Sequence, residues 1–110
     1  MTPLDGQTKA LLGKLASYLA GRPGKDEQAL GLKLREVVKS GQATEGRFTV
    51  ADLNIVQRNI NTQEFMAQVM GDIAHGKPSP ATPGADAEAA RAQAQADRLK
   101  EYRAAVAKVM

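Results

Sequence analysis

The side chains best suited to chemistry in this chain are few and scattered. His75 is the only histidine and cysteine is absent, so neither thiolate chemistry nor a His/Cys metal site can be assembled. His75 falls in the last turn of an expected helix, where the helix dipole favours a cation, and residues 71 and 79 offer no second metal ligand. Asp26-Glu27 would need a cleft and a displaced pKa for general acid–base work, but the pair stands at a helix start, where capping and the dipole already account for it. Gly21-Arg22-Pro23-Gly24 lacks the Gly and Lys spacing of a phosphate cradle. No nucleophile is matched to a base. The sequence therefore offers no catalytic residue, no metal ligand and no cofactor site, and the expectation is a non-enzyme.

Recognition of DNA is the sharpest chemistry the residues suggest. Phe48-Thr49-Val50-Ala51-Asp52-Leu53 and Ile60-Asn61-Thr62-Gln63-Glu64-Phe65 repeat one pattern twelve residues apart. In each, an oxygen-bearing cap residue precedes an acid by three positions, with apolar residues before the cap and at the fourth helical position. This is a capping box with a hydrophobic staple. Used twice, it predicts a short helix, a sharp turn and a second helix. In a helix-turn-helix the second helix would present Asn61, Gln63 and Gln68 to base edges, with Arg47 and Arg58 on the phosphates. The charges argue against this assignment: the helix carries Glu64 and Asp72 and no basic residue before Lys77.

The overall charge agrees. Fifteen Lys and Arg against twelve Asp and Glu give a net +3, shared between residues 1–77, with ten basic and eight acidic, and 84–110, with five and four. No block forms a basic arm or an acidic tail. A basic n-region followed by a continuous apolar stretch is missing near Met1, because Lys9 and Lys14 interrupt the leucines, and no segment has the roughly 18–20 apolar residues of a bilayer span. The expected setting is cytoplasmic, with no membrane partner.

Four helices are predicted within residues 1–76. The first runs from Met1 to Gly21, opened by Thr2-Pro3-Leu4-Asp5 with Pro3 at the first helical position, and buries Leu11, Leu12, Leu15, Tyr18 and Leu19. The second spans about Asp26 to Ser40, buries Ala29, Leu30, Leu34, Val37 and Val38, and ends on Gly41. A polar loop, 41–47, leads to a third, about Val50 to Asn59, that buries Val50, Leu53, Val56 and Ile60. The fourth, about Thr62 to His75, carries the cleanest stripe: Phe65, Met66, Val69, Met70 and Ile73 lie within roughly 140° of arc. Met66 and Met70 suit an adaptable groove, but the stripe assigns them to the core.

Residues 77–84 hold three of the five prolines and read as an extended linker. Beyond it, 85–110 is Ala-rich and helical, with Ala92, Leu99, Tyr102, Val106, Val109 and Met110 on one narrow face. Such a helix is marginal alone and needs a surface to pack on. Leu32 and Ile55 point outward from otherwise amphipathic helices and could form that surface.

The expected architecture is thus all-α: a small four-helix orthogonal bundle (1–76), a Pro-rich linker (77–84) and a C-terminal amphipathic helix (85–110). The expected function is a non-catalytic protein–protein interaction module. Leu99, Tyr102, Val106, Val109, Leu32 and Ile55 would bind the partner, a homo-oligomer or a larger assembly. The alternative is a small DNA-binding regulator dimerised by its C-terminal helix.

Overall fold

A computed structural model of the protein describes residues 2–43, 46–76 and 85–110. The expected Pro-rich linker, 77–84, and the His75 side chain lie outside the described residues. The chain is all-α, with helices α1 (Gly6–Ala20), α2 (Lys25–Ser40), α3 (Val50–Gly76) and α4 (Ala85–Lys108). Among the described residues the sole strand pairing is a two-residue antiparallel contact of β1 (Thr2–Pro3) with β2 (Gln42–Ala43).

α1 starts later than the sequence suggested. Pro3 lies in β1, where its missing N–H is not needed, and Asp5 is the N-cap, its carboxylate accepting the Thr8 N–H at 2.6 Å. α2 keeps its expected bounds. It stops at Gly41, whose φ of 73° is the left-handed conformation glycine adopts without a Cβ clash. The Gly41 N–H donates to the carbonyls of Val37 and Val38, and its own carbonyl accepts from the Leu4 N–H at 2.9 Å, so one glycine both ends α2 and anchors β1.

The two capping patterns have opposite fates. The first forms as expected: the Asp52 N–H donates to Thr49 Oγ1 at 3.4 Å and the Thr49 N–H donates to Asp52 Oδ2 at 3.0 Å. Lys33 of α2 reinforces it, its Nζ 2.9 Å from Asp52 Oδ2, 3.2 Å from the Arg47 carbonyl and 5.9 Å from the centre of the Phe48 ring. The second does not form, because α3 runs through it without a break. Thr62 Oγ1 donates back to the Arg58 carbonyl at 3.0 Å, the bond a threonine makes inside a helix, and Asn61 Oδ1 accepts from Gln57 Nε2 at 3.0 Å. The groups that would have capped a new helix are occupied within the old one. Among the described residues of 1–76 there are therefore three helices rather than the four of the expected bundle, and α3 runs unbroken where a helix-turn-helix would turn.

The chain divides into two compact units, Met1–Val56 with Glu101–Met110, and Gln57–Lys100, so the division falls inside α3 and α4. The first unit holds the larger core: Leu12, Leu15 and Leu19 of α1, Leu30, Leu34 and Val37 of α2, Phe48, Val56, Tyr102 and Val106 are all buried. Val50, expected inside, is 65% exposed because the first turn of α3 turns it outward. Close approach of α1 and α2 is set by Gly31, where a Cβ would come within 3.3 Å of the Ala16 carbonyl oxygen and of Leu19 Cβ. The α1–α2 loop is held by Arg22, whose Nε donates to the buried Glu27 carboxylate at 3.2 Å and whose guanidinium lies 5.8 Å from the Tyr18 ring centre.

Two stability measurements in urea check this account. Thr49→Ala should cost about 1 kcal/mol as a lost cap, whereas Asn61→Ala should be neutral or stabilising by a few tenths, as for a residue inside a helix. Equal costs would restore the second helix start. Gly31→Ala should destabilise by about 1–3 kcal/mol through overpacking, while Gly13→Ala, at a position where a Cβ meets nothing within 4 Å, should stabilise by about 0.5–1 kcal/mol.

Candidate interaction surface

The register of α3 is fixed near its middle. Val56, Asn59 and Ile60 are buried, at 0%, 3% and 1% exposure. At about 100° of rotation per residue, Phe65 then stands about 180° from Val56, and the stripe that begins with it is turned away from the buried side. Phe65 is 66% exposed, Met66 41% and Ile73 37%; Val69 and Met70 are half-buried. The stripe expected to form a core is thus largely a surface. Asn61, Thr62, Gln68 and Asp72 are exposed beside it.

Within the unit 57–100 Asn59, Ile60 and Leu99 are buried, and the other buried positions are small. Ala67 and Gly71 of α3 are half-buried, and Ala92 and Ala96 of α4 are buried together with Leu99. Glu64 joins Lys100 across the unit in an ion pair of 3.0 Å, between half-exposed side chains that contribute little. Apolar stabilisation scales with buried area, so alanines yield little of it, while Phe65, at 66% exposure, leaves most of its surface in water and Met66 and Ile73, at 41% and 37%, leave part of theirs. A contiguous exposed stripe of large apolar side chains is the usual mark of an interaction surface.

The C-terminal helix presents the reverse case. Leu99, Tyr102 and Val106, expected to seek a partner, are buried within this one chain, at 0%, 7% and 0% exposure; Val109 is half-buried and Met110 is 40% exposed. In the first unit Lys108 Nζ lies 3.0 Å from Asp5 Oδ2 and 3.5 Å from Thr8 Oγ1, fastening the end of α4 to the start of α1. Gln7, Thr8, Leu11, Glu101, Ala104, Ala105 and Lys108 line a hollow of about 200 Å³ there. The surface that this helix needs is supplied by its own chain. Leu32 is 61% exposed as expected and lines a second hollow of about 200 Å³ with Ala20, Gln28, Gly31 and Arg35; Ile55 is half-buried and is not part of it.

The candidate base and phosphate contacts are not gathered on one recognition surface. Arg47 is paired with Glu36 at 2.6 Å. Arg58, Asn61 and Gln68 are exposed on one side of α3, while Gln63 is half-buried about 160° from Phe65, on the covered side. Among the described residues no three His, Asp or Glu side chains gather as metal ligands, and no helix is long and apolar enough to cross a membrane. Comparison with family models, with curated proteins and with solved structures finds no match to this chain.

One carboxyl is displaced from its ordinary pKa. Asp5 is lowered from 3.8 to about 2, first by the Thr8 backbone N–H, then by the Thr8 hydroxyl and by Lys108. A folded-state pKa below the unfolded value means that the stabilisation is complete above the ordinary carboxylate range and is lost as pH falls towards about 2. Carbon-detected NMR titration should place the Asp5 carboxyl near 2, and Lys108→Ala should raise it only part of the way to 3.8. An Asp5 that titrates at 3.8 in the intact chain would remove the cap.

Proposed function

We propose that this chain is a non-catalytic helical protein–protein interaction module, and that its docking surface is the apolar face of the second half of α3 rather than its C-terminal helix. One observation carries the reading: the second half of α3 keeps Ala67 and Gly71 towards its covered side and leaves Phe65 66%, Met66 41% and Ile73 37% exposed. A partner that covers these side chains gains apolar burial that the isolated chain forgoes. The polar rim of Asn61, Thr62 and Gln68, with Arg58 and Asp72 towards its ends, supplies the hydrogen-bonding border typical of such surfaces. The C-terminal helix acts as a strut in this reading, since its apolar side chains are used within the chain.

Hydroxyl-radical footprinting tests it directly. In the cells that make the protein, labelling of Phe65, Met66 and Ile73 should fall severalfold below that of the dilute purified chain, while labelling of exposed Val50 stays unchanged. Phe65→Ser should abolish the protection of Met66 and Ile73, yet leave stability within about 0.5 kcal/mol, since an exposed side chain leaves no cavity. Equal labelling in both settings would defeat the proposal.

A further inference from the structure

α2 carries a cationic stripe on its outer side. Lys25, Gln28, Leu32, Arg35 and Lys39 follow one another at spacings of three and four, lie within about 80° of arc over about 21 Å, and are all exposed. The carboxylates of the helix do not neutralise them. Glu27 is buried and holds Arg22, Glu36 is taken by Arg47 at 2.6 Å, and Asp26, about 100° around the axis from Lys25, accepts the Glu27 N–H at 2.8 Å. Among the described residues no carboxylate pairs with Lys25, Arg35 or Lys39. The hollow of about 200 Å³ beside Leu32 shares this stripe: Ala20, Gly31 and Leu32 make its apolar floor, and Gln28 and Arg35 its polar edge.

From an apolar hollow set among unpaired cations at helical spacing, we infer that α2 docks an acidic helical segment of a partner protein, which places one large apolar side chain in the hollow and carboxylates against Arg35, Lys39 and Lys25. The hollow is smaller than the roughly 300 Å³ at which small-molecule sites begin, so a single side chain suits it. Arg35 stands at its edge, where a guanidinium offers a carboxylate two parallel N–H donors. Cations spaced by whole turns match a second helix, whose own side chains recur at three, four and seven. A nucleic acid calls for stacking side chains or a denser run of cations, and a bilayer for more apolar surface than Leu32 alone. The stripe lies in the unit Met1–Val56 with Glu101–Met110 and makes no use of Phe65, so it is a surface additional to the α3 face.

The probe is a capped alanine–glutamine peptide of about nineteen residues, with one leucine at its centre and glutamates three and seven residues to either side, a spacing that serves either chain direction. Its fluorescein-labelled form should bind the full chain saturably in anisotropy titrations at low salt, and more weakly as salt rises. Serine in place of the leucine should weaken binding about tenfold, and so should moving the glutamates to two and five residues from the leucine, on the opposite side of the peptide at the same net charge. Arg35→Glu and Lys39→Glu should each cost about tenfold, because reversal turns attraction into repulsion. Lys14→Glu, the same change in net charge at an exposed position of α1, should cost less than about twofold. Circular dichroism of these exposed-site variants separates lost binding from lost folding. No binding at the highest soluble peptide concentration, equal binding of the re-spaced peptide, an equal loss with Lys14→Glu, or tighter binding of single-stranded DNA of equal charge or of phosphatidylserine vesicles would each overturn the inference. Phe65→Ser should leave peptide binding unchanged, so this test and the footprinting of α3 succeed or fail separately.

Discussion

An unbroken α-helix rotates its side chains by about 100° per residue, so it can offer only one stripe to one core. α3 carries two. Leu53, Val56 and Ile60 define the first, and Phe65, Met66, Val69, Met70 and Ile73 define the second, displaced by about 140° around the axis. Burying both requires a break between them. Without a break the register belongs to whichever stripe is better held, and the first is held by buried Val56, Asn59 and Ile60 next to a complete cap at Thr49. Exposure of Phe65 follows from that choice.

The helix continues through residues 58–64 for reasons of relative cost. Arg58-Asn59-Ile60-Asn61-Thr62-Gln63-Glu64 contains neither Gly nor Pro; its asparagines and threonine lower helix propensity by only about 0.5 kcal/mol each. A break would leave several backbone groups needing new partners. The Thr49 cap has support that the Asn61 site lacks: Lys33 braces Asp52. Two patterns alike in sequence thus differ in tertiary support. Local pattern matching sees the cap but not the lysine nineteen residues away in α2 that strengthens it.

Where local signals were unopposed, the sequence was a good guide. α2 was readable because Gly41 is the one residue type that ends it at no steric cost, and Leu30, Leu34 and Val37 follow a single phase. The stripe of the C-terminal helix was readable as apolar, but not its destination, since its bond from Lys108 to Asp5 joins residues about a chain length apart. Ala67, Gly71, Ala92 and Ala96 were the silent part. Small residues give almost no periodic signal, yet they mark the covered side of the unit 57–100. The phase jump within α3 was present in the sequence. Such a jump is the signature of a continuous helix with one face left over as much as of a turn.

That leftover face is better regarded as a property of the alanine-lined unit than as a defect of α3. Small side chains remove little apolar surface from water, so Ala67, Gly71, Ala92 and Ala96 add little stability to the unit 57–100. Exchanging the two stripes, with Phe65 and Ile73 inside and alanine outside, would give a larger core and a surface with nothing to recognise. The arrangement instead leaves Phe65, Met66 and Ile73 partly in solvent. Stability is then carried mainly by the unit built on α1 and α2, where Leu12, Leu15, Leu19, Leu30 and Leu34 are almost wholly buried.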